Sequence, residues 1–212
     1  MKTLCIFGKA STAVEIAEAA REVAPDWERF FVIRDHEEPD GERMIRDRDL
    51  AAFLAGRAGD FRFVIPFANG EERASRTAFA EELGLRPMTI RHPRAWVSPS
   101  ATVGPGSYLA PGAMVSAGAR LADHSILNLN ATFGHDSRGG RHLVVNPGAA
   151  VSGDVSIGEG VLVGANAFLA AGISVGDGCR IDALAHVARD LPAGQLATSR
   201  RLDVYPRRDY HG

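Results

Sequence analysis

Val97-Ser98-Pro99-Ser100-Ala101-Thr102-Val103-Gly104 opens a register that decides the fold. Stepping by six from Val97 reaches Val103, Leu109, Val115, Leu121, Leu127, Phe133, Gly139, Val145 and so on to Val187, and fifteen of these sixteen positions are apolar. The residue after each is small or compact, as in Ser98, Gly104, Ala110 and Gly164. Another short or aliphatic residue stands two places before, as in Ala95, Ala101, Ser107 and Cys179. A helix of period 3.6 cannot hold one face through such a register, and plain strand alternation does not require a small residue after each aliphatic one. A solenoid of hexapeptide repeats requires both, because each repeat is a short strand and a corner, and like residues stack into ladders.

Upstream the grammar changes. Residues 3–8 read as a buried strand ending in glycine and 13–23 as a helix rich in Ala and Glu. A second strand falls at 30–33, a short helix at 50–54, a third strand at 61–65 and a third helix at 71–83, with 88–90 closing the run. Strands alternating with helices imply βαβ units on a parallel sheet, with ligands expected off the carboxyl ends of the strands. The expected fold is therefore α/β followed by β-solenoid. The division is a small Rossmann-like domain over 1–92, a β-helix over 93–190 and a tail over 191–212, with the boundary near His92-Pro93.

Composition bounds the partners. A chain of 212 residues with 45% hydrophobic content can build a core, and its net charge of −2 argues against a nucleic-acid partner, which wants a basic face. No apolar run approaches the roughly 18 residues of a membrane span, and Met1-Lys2-Thr3 leads straight into a strand. These features predict a cytoplasmic protein without membrane contact. Cys5 and Cys179 are too few for a disulfide framework and read as reduced core residues.

The pattern [LIV]-[GAS]-x4 resembles the left-handed parallel β-helix of the hexapeptide-repeat acyltransferases. Three hexapeptides make one triangular coil in that family, so the register implies about five coils. The resemblance also implies homotrimers with acyl-donor sites in clefts between subunits. With the Rossmann-like part in front, and the link Ile90-Arg91-His92-Pro93 running into Val97-Ser98-Pro99, the chain is similar to the bacterial sugar O- and N-acetyltransferases. That group acetylates nucleotide-linked amino sugars, or sialic acids, for surface glycans. The implied reaction is acetyl transfer from acetyl-CoA, as co-substrate, to the amino group of a nucleotide-linked sugar in polysaccharide biosynthesis, with no metal. O-acetylation of a sialic-acid-like acceptor is one alternative, and non-enzymatic nucleotide-sugar binding is another.

The resemblance assigns residues. His135-Asp136, two places past ladder residue Phe133 and so projecting outward, match the family's His-Asp/Glu dyad, in which histidine is the general base. Gly153 matches a glycine near the thioester carbonyl, while Ala165 and Ala183 lie in stretches along the pantetheine arm. For the nucleotide, the resemblance points to Ala10, Ser11 and Thr12 after Gly8, to Arg34-Asp35 after the second strand and to Ala68 after the third. A helix N-terminus at 10–12 suits an anion.

Departures are equally specific. The second histidine that many members carry nine residues after the base is Val144 here, with His142 two places away, and the repeat between holds the anomalous Gly139-Gly140. The usual ending is replaced by a segment containing Arg200-Arg201, which could reach coenzyme A phosphates. A zinc hydratase of the same prism type would need three of His124, His135, His142 and His186, whose spacing does not match one.

Overall fold

The computed structural model of the protein describes residues 1–39, 41 and 43–199. Strand β1 (Lys2–Phe7) is buried after its first residue because both its faces are covered. Leu4 and Ile6 pack with Ile16, Ala17 and Ala20 of helix α1 (Ser11–Val23). Cys5 and Phe7 pack with Leu50 of α2 (Asp47–Ala55) and Ala80 of α3 (Gly70–Glu82). A continuous apolar run is what a parallel sheet sandwiched between helices selects. With β2 (Glu28–Ile33), β3 (Met44–Arg46), β4 (Asp60–Val64) and β5 (Arg86–Pro87), the sheet runs β3-β2-β1-β4-β5, all parallel. β3 has no signature in the sequence because three residues cannot display a period. Residues 88–90 do not close this sheet: Ile90–Arg91 is already a rung of the solenoid, with the Ile90 N–H donating to Ser107 O at 2.9 Å.

From Trp96–Val97 to His186–Val187 a two-residue strand recurs every six residues, and each pairs in parallel with the strand eighteen residues on, as Thr132 does with Ala150. Three sheets result, so three hexapeptides close each coil of a left-handed triangular prism. The second residue of each strand points inward, and Val115, Leu127, Phe133, Val145 and Val163 are fully buried there. Gly139 leaves no void. A Cβ there would lie 2.6 Å from Leu143 Cδ2 and 3.1 Å from Leu121 Cδ2, so larger neighbours fill its share of the core. Corners bend through residues with φ between +53° and +76°, which is why Gly, Asn, Asp and His recur in the repeats.

Replacing a ladder residue tests the inward assignment. Val163→Asp puts a carboxylate without a partner into a dry core, which costs several kcal/mol or forces the carboxyl to stay protonated. We expect loss of the cooperative thermal transition by circular dichroism, and a variant melting like the parent would show that Val163 faces outward.

The first residue of each strand points out and gives the prism three unlike faces. Tyr108, Ile126 and Val144 are buried in one apolar cluster with Leu4 and Ile16, so the amino-terminal part lies on that face. Trp96, Met114, Thr132, Ala150, Phe168 and His186 form a mainly apolar face with Trp96, Met114 and Phe168 exposed. Thr102, Arg120, Arg138, Ser156 and Ser174 form the third, polar face.

The two parts also meet along α3. Gly70 sits against the Gly160 backbone, and the fully buried Arg73 donates to Ile65 O at 2.5 Å, to Phe67 O at 3.0 Å and to His124 O. The His124 ring stacks between Phe63 and His142, at centroid distances of 5.7 and 5.2 Å. Burial pushes both imidazoles down from 6.5 to about 4. Between these values the unfolded chain binds more protons than the folded one, so stability is lost as pH falls from 6.5 towards 4. The melting temperature should drop across that window, and the drop should shrink in His142→Phe. Equal slopes in parent and variant would remove His142 from the effect.

The prism does not stop at 190. After Val187 one repeat is shortened: Leu191 bridges to Val175, and Leu196–Ala197 pairs with Arg180–Ile181 as a last rung. Residues 200–212, with Arg200 and Arg201, lie outside the described residues. Among the described residues no helix is long and apolar enough to cross a membrane. Cys5 and Cys179 are both buried and unpaired.

Candidate active site

Eighteen residues per coil place Gly153 directly beneath His135. A Cβ on Gly153 would run into Nε2, Cε1 and Cδ2 of the imidazole, so the Nε2 side of the ring occupies the space that a side chain at 153 would need. On its other side the ring meets carboxylates: Nδ1 is 3.0 Å from Asp136 Oδ2 and 4.0 Å from Asp154 Oδ2. Nδ1, beside a carboxylate, is the nitrogen that keeps its proton, which leaves Nε2 over Gly153 as the acceptor. Asp136 and Asp154 occupy consecutive left-handed corners, with φ of 58° and 60°, and the Asp154 N–H donates to His135 O at 2.9 Å. All three side chains are exposed. Asp154 is not among the residues expected from the sequence, although adding eighteen to 136 finds it.

The position two after each inward residue accepts through its carbonyl from the next coil at most rungs but donates no N–H to the ladder, which is why Pro99, Pro105, Pro111 and Pro147 are accommodated there. Gly153, Ala165 and Ala183 occupy that same position, and among the described residues their N–H groups have no acceptor. They do not share an edge. His135 and Gly153 lie on one border of the Trp96 face, while Ala165 and Ala183, stacked with Pro147, lie on the opposite border. A single prism therefore separates the base from two of the three expected cofactor residues.

At the carboxyl end of the amino-terminal sheet a 220 Å³ cavity is lined by Gly8, Ala10, Thr12, Arg34, His36 and Phe67, among others. Gly8 turns there with φ of +92°. α1 begins at this cavity with no side-chain cap, and unlike α2 and α3 it has no acid in its first turn. Of the expected nucleotide residues, Ala10, Thr12 and Arg34 line the cavity. Ser11 and Ala68 are exposed and outside its lining. Asp35 is not in the cavity either, because its carboxylate accepts the Arg48 N–H at 3.0 Å and caps α2. Arg34 pairs with Glu72 of α3 and its guanidinium lies 5.8 Å from the centre of the Phe67 ring. His36 and Phe67 carry no sequence signature that would mark them.

His124 and His142 are excluded from the chemistry by burial. They form the buried stack under α3, and Val144 faces the amino-terminal cluster. The four histidines weighed for zinc do not converge: among the described residues the group with metal-ligand geometry is His135, Asp136 and Asp154.

Residues 154–183 match the model of the hexapeptide repeat of succinyl-transferase. No curated protein sequence matches the chain. Among solved structures, the acetyltransferase domain of PglB from Neisseria gonorrhoeae is 29% identical, covers 94% of this chain and 97% of its own, and superposes with a TM-score of 0.82. PerB from Caulobacter crescentus, solved in complex with CoA and GDP-perosamine, is 26% identical over 94% of this chain and 95% of its own, with a TM-score of 0.85. WeeI from Acinetobacter baumannii, at 18% identity and a TM-score of 0.85, shares the fold. In its repeat, its two-part architecture and its whole-length likeness the chain is similar to bacterial sugar acetyltransferases of the hexapeptide-repeat type.

Proposed function

We propose that the protein transfers the acetyl group of acetyl-CoA to the amino group of a nucleotide-linked amino sugar. The observation that carries this reading is the stack of His135 over Gly153 with Asp136 on Nδ1. The acceptor amine attacks the thioester carbonyl, and Nε2 of His135 removes the proton that the nitrogen must lose. Asp136 holds the ring and balances the imidazolium that forms. The carbonyl oxygen becomes an oxyanion, and the Gly153 N–H, outside the ladder and beside Nε2, is the donor placed to meet it. One aimed main-chain donor is worth roughly 2.7–4 kcal/mol in the transition state. Collapse expels the CoA thiolate, which takes the proton back from the imidazolium.

In this reading the residues of 1–92 hold the nucleotide, at the cavity beside Gly8, and those of 93–190 carry out the transfer. The similarity to proteins solved with CoA and GDP-perosamine, and with acetyl coenzyme A, supports both substrates. The pantetheine arm would lie along Ala165 and Ala183. Because these residues stand on the far border of the apolar face from His135, one cleft gathers both sets only between two copies. Exposed Trp96, Met114 and Phe168 on the intervening face give those copies something to bury, so we read the assembly as a homotrimer.

The deciding experiment supplies acetyl-CoA with a panel of nucleotide-linked amino sugars and their hydroxyl counterparts and follows free thiol release. Turnover with an amino sugar is expected. Turnover only with hydroxyl acceptors would move the reading to O-acetylation, and none with either would leave nucleotide-sugar binding as the function.

A further inference from the structure

Several arginines in the amino-terminal part are paired with carboxylates: Arg34 with Glu72, Arg46 with Glu38, Arg62 and Arg86 with Asp60, Arg76 with Asp47. Those on the polar face of the prism are not. Arg120 and Arg138 are direct partners on neighbouring rungs, both exposed, and neither has a carboxylate partner among the described residues. Arg141, at the next corner, is exposed and likewise without one. Like charges directly opposite across a strand pair are destabilising. In a chain whose net charge is −2, composition does not force three cations together.

The place of these arginines on the prism indicates which anion they suit. The Arg138 face has two borders: His135 and Asp136 stand on one, and on the other Gly70 meets Gly160, next to the loop whose Pro66 and Phe67 line the cavity beside Gly8. Arg138 is three residues from His135 and three from Arg141, which limits each step to roughly 10 Å of extended chain. Both rungs lie at the level of His135 or one coil towards the amino terminus. Ala165 and Ala183 are on later coils, at a different edge. Serines, not cations, continue the face in that direction, at Ser156 and Ser174.

We propose that Arg120 and Arg138 form a diphosphate-binding subsite for the nucleoside diphosphate portion of the acceptor. The subsite lies between the amino-terminal cavity and the imidazole of His135. Two guanidinium forks on adjacent rungs offer parallel N–H pairs to the non-bridging oxygens of both phosphates, the geometry in which arginine outperforms lysine. Binding there turns the sugar amine towards Nε2. This inference rests on the proposed acetyl transfer for its choice of ligand, and binding tests it independently of turnover.

Full-length protein is titrated calorimetrically with UDP, with GDP and with CoA, for the parent and for Arg120→Gln, Arg138→Gln and the double variant. Both residues are exposed strand positions, so the variants should fold, which their melting temperatures check. Nucleoside diphosphate binding should weaken about ten-fold or more with each substitution and become less dependent on salt, while CoA binding changes less than two-fold. Where an acceptor turns over, its KM should rise in parallel and the acetyl-CoA KM should not. Weakened CoA binding instead, or unchanged binding of all three ligands, would overturn the subsite. So would a change of assembly size by light scattering with binding intact, because the arginines would then pair with a second copy. Arginine-dependent diphosphate binding without any acetyl transfer would keep the subsite and remove the reaction. Transfer with an arginine-independent acceptor KM would do the reverse.

Discussion

His135→Ala should lose about 10²–10⁴ in kcat/KM for acetyl transfer, the usual contribution of a positioned general base, with no loss of stability. The side chain is exposed above a corner and fills no core space, so its removal leaves neither cavity nor orphaned donor. Asp136→Asn should lose less, because it keeps the shape and a hydrogen-bonding group beside Nδ1 but removes the charge that balances the imidazolium. Asp154, 4.0 Å from the same nitrogen, supplies part of that charge in its absence. Thiol release with a verified acceptor measures all of these. Near-parent kcat/KM in His135→Ala at neutral pH would reject the base assignment. His142 could not replace it, being buried and stacked on His124.

Gly153→Ala is the second large effect, and it arises from one methyl group. The added Cβ would collide with Nε2 and Cε1 of His135, so the imidazole must swing away or the corner must shift. A misplacement of about 1 Å at reacting groups can cost on the order of 10²-fold. The loss should appear in kcat with both substrates still bound. Since the methyl acts through the ring it displaces, His135→Ala with Gly153→Ala should be no slower than His135→Ala alone, a coupling that independent sites would not show. If Gly153→Ala works as well as the parent, the ring is not seated over residue 153 during turnover.

Much of this architecture is legible in the amino-acid sequence, because a six-residue period needs no long-range information. Each ladder residue meets its own equivalent one coil away, so the repeat encodes its own tertiary contacts. The same arithmetic reaches into the site. Adding eighteen to 135 and 136 gives Gly153 and Asp154, the ring's floor and its second carboxylate. The amino-terminal strands are readable where they are long apolar runs. β3 is not, and Ile90–Arg91 is easily assigned to the wrong sheet because an isolated pair belongs by its local pattern to either.

The sequence by itself determined the hexapeptide register and set His135 next to Asp136, since period and adjacency are properties of the chain alone. The eighteen-residue coil implied by the family resemblance is shown by the strand pairing. Only the tertiary structure decided what each outward position meets. Asp35 caps α2 instead of lining the cavity, and His142 is buried under the ring of His124, which Phe63 and Arg73 in turn hold from the other part of the protein. Ala165 and Ala183 share the ladder position of Gly153 and yet stand on another edge. The physical reason is that a repeat fixes which residues point out of the solenoid identically at every coil. What covers them depends on a second, unrelated fold packed on one face, and nothing in the hexapeptide records where that fold sits.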